Sequence, residues 1–367
     1  MYARLWRDAG ADVLVYSPRP LHERRASETA EYGIRVTSSL VEVQRFHAPL
    51  AHLHHAAPSP GTLEWAAAFS AVISREAVVL THNVFGQVLP LDLGARTVVG
   101  VLGHWVGAQY RFQGGGPANR IRVLPNPQDL GFFRPPTVAE RRDARAALHI
   151  SDQQHVVLRV GSPTDEKWSR AGYASLVDSA QGLRDVAVRL IGAPVSHSFG
   201  GQGVTVLHEP LDDLSLRREY WAADVFAHWS ERGESFGNVV LEALGTGLPV
   251  VYRAVRTRDN TPAEFRDLPG FEYVTRPAEW VRRSLALRDD SSALRRPLVE
   301  RYDASAIRAM LGVVVERYRG DADELLRTVL ETLPRPRRLS VADSAAVTIR
   351  HNPLAAVVKR RRLRGAR

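Results

Sequence analysis

Gly233-Glu234-Ser235-Phe236-Gly237-Asn238-Val239-Val240-Leu241-Glu242-Ala243-Leu244-Gly245-Thr246-Gly247-Leu248-Pro249-Val250-Val251 decides how the rest of the chain is read. It predicts a loop, a helix opening at Phe236-Gly237, a turn at Gly245 and Gly247, and a buried strand from Pro249. Asn238 and Glu242, four apart, share one helix face. Val240 and Leu244, with Val239 and Ala243 beside them, form an apolar face to set against a sheet. A helix N-terminus presents free N–H groups and a partial positive charge, which suits a phosphate or diphosphate. Glu234 and Glu242 flank that end with seven residues between them. Acceptors beside an anion site add nothing to stability, but they suit a ligand that also carries hydroxyls.

Working outward, the same alternation of short apolar runs and helical stretches fills the chain, the pattern of parallel sheets covered on both faces. Strands are predicted at Asp12–Tyr16, Pro49–His54, Ala77–Thr81, Thr97–Gly103 and Ile121–Leu124, with helices at Thr62–Ser74 and His104–Phe112. Pro125-Asn126-Pro127 and Phe133-Arg134-Pro135-Pro136 interrupt the pattern and predict a linker. A second set follows, with strands at His155–Val160, Val186–Ile191, Val204–Leu207, Asp224–Ala227 and Pro249–Tyr252. Its helices are predicted at Ser169–Gln181, Asp213–Ala222 and Gly237–Thr246.

The 367 residues, 44% hydrophobic and 24% charged, suit two domains with real cores. No run is long and apolar enough to span a membrane, and no secretory signal is visible. With no cysteine, disulfides and thiolate metal sites are excluded. The net charge of +9 argues for nucleic acid only until it is located: residues 335–367 hold ten basic residues and one acidic, which accounts for all of it. The rest of the chain is neutral, so no nucleic-acid partner is expected. The basic tail follows Leu354-Ala355-Ala356-Val357-Val358, and two readings stay open, a peripheral contact with anionic membrane and a solvated flexible end.

The Glu234-to-Glu242 segment, with Phe-Gly after the first Glu and Glu-Ala-Leu-x-x-Gly-Leu-Pro-Val-Val at the second, resembles the E-x7-E signature of the GT-B retaining glycosyltransferases of family 4, the glycosyl transferases group 1. The resemblance implies α/β architecture of GT-B type, two Rossmann-like domains facing a cleft. It divides the chain into an acceptor-side domain (1–135), a nucleotide-sugar donor domain (136–303), C-terminal helices (304–333), the first crossing back, and the tail (334–367). By the same comparison the N-terminal domain lacks its first strand and Gly-rich loop, because Met1–Gly10 resembles the end of the first helix. Activity of the chain as given is therefore expected to be poor.

The resemblance also implies roles. Glu234 contacts the donor sugar and Glu242 the ribose hydroxyls. Lys167 is one of only two lysines beside 47 arginines, and a compact ammonium placed before a helix suits a phosphate oxygen. The segment Arg159-Val160-Gly161-Ser162-Pro163-Thr164-Asp165-Glu166-Lys167-Trp168-Ser169 is similar to an Arg-x-Gly-x-Pro-x-x-x-Lys-Trp-Ser pattern of a subgroup, in which Arg159 joins Lys167 at the diphosphate. The donor-binding set is then Arg159, Gly161, Lys167, Phe236, Gly237, Asn238 and Glu242. His54, second of the pair His52-x-His54, maps to a family histidine near the reacting bond, so the catalytic set is His54, Lys167 and Glu234. His82 and Asn83, in Thr81-His82-Asn83-Val84-Phe85-Gly86, fall on the acceptor side.

No metal site is expected: His52 and His54 share a strand face, but the sequence spaces no third ligand beside them. Asp321-Ala322-Asp323 and Asp212-Asp213 are expected to cap helices. No cofactor is expected. The partners are a nucleotide-diphosphate sugar and a glycan, lipid-linked or small-molecule acceptor, in a cytoplasmic protein that touches the inner membrane face at most. A sugar epimerase, a phosphorylase and an inactive nucleotide-sugar-binding module are the alternatives.

Overall fold

Short runs rich in β-branched residues make parallel strands, of which the described residues hold twelve; Val78–Asn83, His155–Val160, Val186–Ile191 and Val225–Trp229 are buried along their whole length. The computed structural model describes residues 1–21, 23–55, 60–88, 92–231, 233–253, 261–287, 295–337 and 339. The described residues divide into two compact units, Met1–Pro127 with those from Ala304 on, and Gln128–Asp303. The sequence of the basic tail from residue 340 on lies outside the described residues. Among the described residues no helix is long and apolar enough to cross a membrane.

The first unit contains β1 (Leu14–Tyr16), β2 (Arg35–Thr37), β3 (Leu50–His55), β4 (Val78–Asn83), β5 (Thr97–Val101) and β6 (Ile121–Val123). They form two parallel sheets rather than the single one that the alternation predicts: β1-β2, and β3-β4-β5-β6. β2 was not legible in the sequence because it is three residues long and exposes Arg35 and Val36. The Tyr2–Asp8 helix buries Tyr2, Leu5 and Trp6, which pack with Val78, Leu80 and Val98 of the larger sheet and with Ile307, Leu311 and Val314 of the Ala304–Arg317 helix. Tyr2 is anchored further by its hydroxyl, which donates to the Pro125 carbonyl at 2.5 Å.

The second unit adds β7 (His155–Val160), β8 (Val186–Ile191), β9 (Val204–Leu207), β10 (Val225–Trp229), β11 (Val250–Arg253) and β12 (Phe271–Val274). All are parallel, in the order β12-β11-β10-β7-β8-β9. The order reverses between β7 and β10, the position where open parallel sheets leave a crevice beyond their carboxyl ends. Trp168, Tyr173, Trp229 and Trp280 fill one face of this sheet. β12 was missed in the sequence because only Phe271 and Val274 are buried; Glu272 between them pairs instead with Arg283. The capping aspartates behave as expected: Asp212 accepts from the Ser215 amide at 2.9 Å and Asp321 from the Glu324 amide at 2.6 Å.

Candidate functional site

The loops after β7 and β10 leave the sheet side by side at the reversal of strand order, and Lys167 of one meets Glu234 of the other. After β7 the chain turns at Gly161 and closes a short 3-10 turn, Asp165–Lys167, before the Arg170–Gln181 helix, capped by Ser169. After β10 it runs to Gly237, whose φ of 88° lies in the left-handed region that glycine tolerates, and enters the Asn238–Gly245 helix. A side chain at Gly237 would also press on Thr261, whose Oγ1 would be 3.0 Å away. The Ser230 hydroxyl, donating to the Glu166 carbonyl at 3.2 Å, links the two loops.

Lys167 and Glu234 meet across these loops, Nζ to Oε2 at 2.5 Å. The lysine side chain keeps 33% of its surface exposed and the glutamate 11%. An ammonium has three donors, so this pair leaves capacity for an incoming anion. His228, fully buried on β10, places Nε2 3.5 Å from the other Glu234 oxygen and stacks on Tyr252 with ring centroids 4.5 Å apart. Burial, and next the Arg159 guanidinium, lower the His228 pKa to about 4, so the ring is neutral at neutral pH. Burial opposes ionisation of Glu234, yet its contacts with His228 and Lys167 outweigh that and hold its pKa at about 2. With the imidazole neutral, the ammonium is the cation that keeps this carboxylate charged.

Arg159 sits differently from a phosphate clamp open to solvent. Its side chain is buried, donates to the Val160 carbonyl at 2.6 Å and to the Lys167 carbonyl at 2.7 Å, and lies over Trp168, 5.0 Å from the ring centre. It therefore fixes the backbone that presents Lys167. Gly161 lets guanidinium and indole close in, since a Cβ there would be 3.0 Å from Arg159 Nη2 and 3.2 Å from Trp168 Nε1. Phe236 is buried in an edge-to-face cluster with Phe265 and Tyr302, at 5.6 and 5.7 Å. It anchors the helix entry to the core, while Asn238 is exposed at the first helical position.

Glu242, one turn further, is half-buried and accepts from the Tyr220 hydroxyl at 2.9 Å. Desolvation raises its pKa to about 7, with the Tyr220 hydrogen bond pulling the other way and the Asp213 charge adding to the rise. Sequence reasoning missed His228 and Tyr220. His228 lay just beyond the strand predicted at Asp224–Ala227, and Tyr220 lies on a different helix from its partner, 22 residues away.

In the first unit, β3 and β4 pair so that His54 lies opposite His82. The parallel register supplies the third imidazole that the linear sequence did not show beside His52 and His54. Their rings lie 4.3 Å (His52–His54) and 4.7 Å (His54–His82) apart, with Tyr2 packed 5.0 to 5.4 Å from all three. His54 is exposed, His52 half-buried and His82 buried. Burial, then the charges of His54 and His82, push the His52 pKa well down. Asn83 is buried and both ends of its amide serve its own loop: Oδ1 accepts from the Gly86 amide at 2.7 Å and Nδ2 donates to the Gln87 carbonyl at 2.6 Å.

Comparison with known proteins follows the same division. Residues 154–266, which span β7 to β11 and hold Arg159, Lys167, Glu234 and Glu242, match the family model described as Glycosyl transferases group 1. A D-inositol 3-phosphate glycosyltransferase of Segniliparus rotundus is 30% identical over 144 residues, which are 36% of this chain and 31% of that protein. The matched stretch thus spans about a third of the length of such curated relatives. Among solved structures, Anabaena Alr3699/HepE in complex with UDP and glucose superposes with a TM-score of 0.62 at 16% identity, covering 86% of this chain and 94% of that one. Sucrose-phosphate synthase from Thermosynechococcus elongatus gives 0.58 at 19% identity, over 86% and 90%. The GT-B fold is shared; at these identities the likeness speaks for the fold alone.

Proposed function

We propose, from the premise that residues 154–266 are of the group 1 glycosyl transferases, that the chain transfers a sugar from a nucleotide-diphosphate donor to a hydroxyl-bearing acceptor. The observation that carries this reading is the Lys167–Glu234 pair across the loops at the reversal of strand order, with Glu242 on the helix that follows the second loop. An ammonium beside a helix N-terminus suits a diphosphate, and a carboxylate on that helix suits ribose hydroxyls.

In this reading Lys167 and the first turn of the Asn238–Gly245 helix stabilise the charge that develops on the departing diphosphate, as oriented donors do. Arg159, through Trp168 and the Lys167 carbonyl, holds the lysine in place. Glu234 orients the ammonium and accepts from the sugar hydroxyls. Retention at the anomeric carbon, transfer without a metal, and a part for His54 near the sugar extend the family resemblance. Support for a UDP-sugar among the donors comes from the Anabaena protein, whose structures hold UDP, glucose and UDP-glucose. A location on the cytoplasmic side fits a nucleotide-sugar substrate.

Titration of the full chain with UDP, GDP and ADP in a calorimeter tests the reading. One of them is expected to bind with a 1:1 stoichiometry and more tightly than its monophosphate, because the second phosphate adds charge opposite Lys167. Absence of heat with all three, or equal affinity for mono- and diphosphate, would remove the donor site.

A further inference from the structure

We propose that His52, His54 and His82 form a binding site for a divalent transition ion of the zinc, cobalt or nickel class. The three imidazoles come from adjacent parallel strands: His52 and His54 from one face of β3, and His82 from β4, opposite His54. One ring nitrogen of each lies within 4.8 Å of the others. Tetrahedral ligands about 2.0–2.1 Å from a zinc ion stand about 3.3 Å apart, so the rings need to draw in by up to about 1.5 Å. His54 is exposed, while His82 is buried and Tyr2 backs all three rings. Three imidazoles with a fourth position open is the ligand count of a site that keeps a water or a substrate atom.

A second observation is independent of the spacing. His52 Nε2 is buried and has no hydrogen-bond partner among the described residues. The opposite nitrogen is used: the Trp6 indole N–H donates to His52 Nδ1 at 3.1 Å. In the metal-free state Nε2 therefore carries the ring proton and points it at no acceptor. Coordination through Nε2 requires that proton to move to Nδ1, with no net change in protonation. The indole then loses its acceptor and must turn away. One neutral hydrogen bond is weak beside a metal–nitrogen bond, so the ion prevails, and Trp6 becomes a reporter of occupancy. Packing of the rings around Tyr2 explains their stacking but leaves His52 Nε2 without a hydrogen-bond partner among the described residues.

The site belongs to the first unit and the Lys167–Glu234 pair to the second, and the transfer reading touches it only through His54. An ion held here withdraws His54 from any contact with a sugar.

The test uses the full chain without a histidine tag, titrated with Co2+ and followed by visible d–d absorption, then back-titrated with Zn2+. One ion per chain with a four-coordinate spectrum is expected, displaced by zinc and accompanied by a change in tryptophan fluorescence that Trp6→Phe abolishes. His54→Ala removes an exposed ring and should not disturb the fold; it is expected to weaken binding at least about tenfold, the lower range seen even for loss of a supporting group. Trp6→Phe removes the competing donor and is expected to tighten binding. Absence of a cobalt spectrum, or equal affinity in His54→Ala, overturns the proposal whether or not nucleotides bind.

Discussion

Replacing Lys167 by alanine is expected to weaken nucleoside diphosphate binding about 10- to 150-fold, the equivalent of about 1.5–3 kcal/mol for a hydrogen bond to a charged group. The prediction rests on the 2.5 Å contact between Lys167 and Glu234 and on the third of the lysine side chain that stays exposed. The loss should fall toward the upper end. Without the ammonium, Glu234 remains as a negative charge in the place where an anion must enter, so repulsion is added to the missing attraction. Lys167→Ala combined with Glu234→Gln should therefore recover part of the affinity, which a merely structural lysine would not show. Calorimetry on Lys167→Ala, Glu234→Gln and the double variant is the measurement. An unchanged affinity in Lys167→Ala would sink the phosphate role, and an additive double variant would sink the coupling.

Glu242→Gln is expected to stabilise the protein at pH 8, leave its stability unchanged near pH 4, and weaken nucleotide binding at pH 8. The folded pKa, about 7, lies above the ordinary 4.5. Between those values the folded protein holds a proton that the unfolded chain has released. Stability from this group is thus fully present below about 4.5 and lost as pH rises through about 7. Glutamine imitates the protonated acid and escapes that loss. The gain at pH 8 should be about 1–3 kcal/mol, several degrees in melting temperature. Binding moves the other way, because glutamine offers one acceptor oxygen where the carboxylate offers two, of which Tyr220 engages one. Thermal melts at both pH values, with nucleotide titrations beside them, separate the effects. Destabilisation at pH 8 would refute the burial argument, and parental affinity there would refute the ribose role.

The sequence made the second unit easier to read than the first. β7, β8 and β9 are mostly apolar runs broken by single polar residues, and the helix from Asn238 announces itself by glycines at both ends. β2 offers three residues and no apolar pattern, so nothing local distinguishes it from a loop. At the site, Lys167 was legible from composition, since a rare lysine among many arginines needs a reason. The burial of Arg159 was not: a guanidinium donating to the Lys167 carbonyl and one open to a phosphate have the same sequence. His82 stood in view in its own motif, yet its place beside His52 and His54 depends on the register of β3 against β4, which residues 28 apart cannot reveal locally. Tyr220 was hidden for the same reason, as its partner belongs to another helix.

The separation of β1-β2 from β3-β4-β5-β6 has a consequence for how the first unit opens. Each strand of the small ribbon is three residues long, and no ladder joins it to the larger sheet among the described residues. A ribbon of that size is marginal by itself and can open without breaking the bonds of its neighbours. Amide exchange should then sort the unit into two cooperative layers. Protons at residues 14–16 and 35–37 would exchange through a shallow local opening, while those of Val78–Asn83 and Thr97–Val101 wait for the whole unit to unfold.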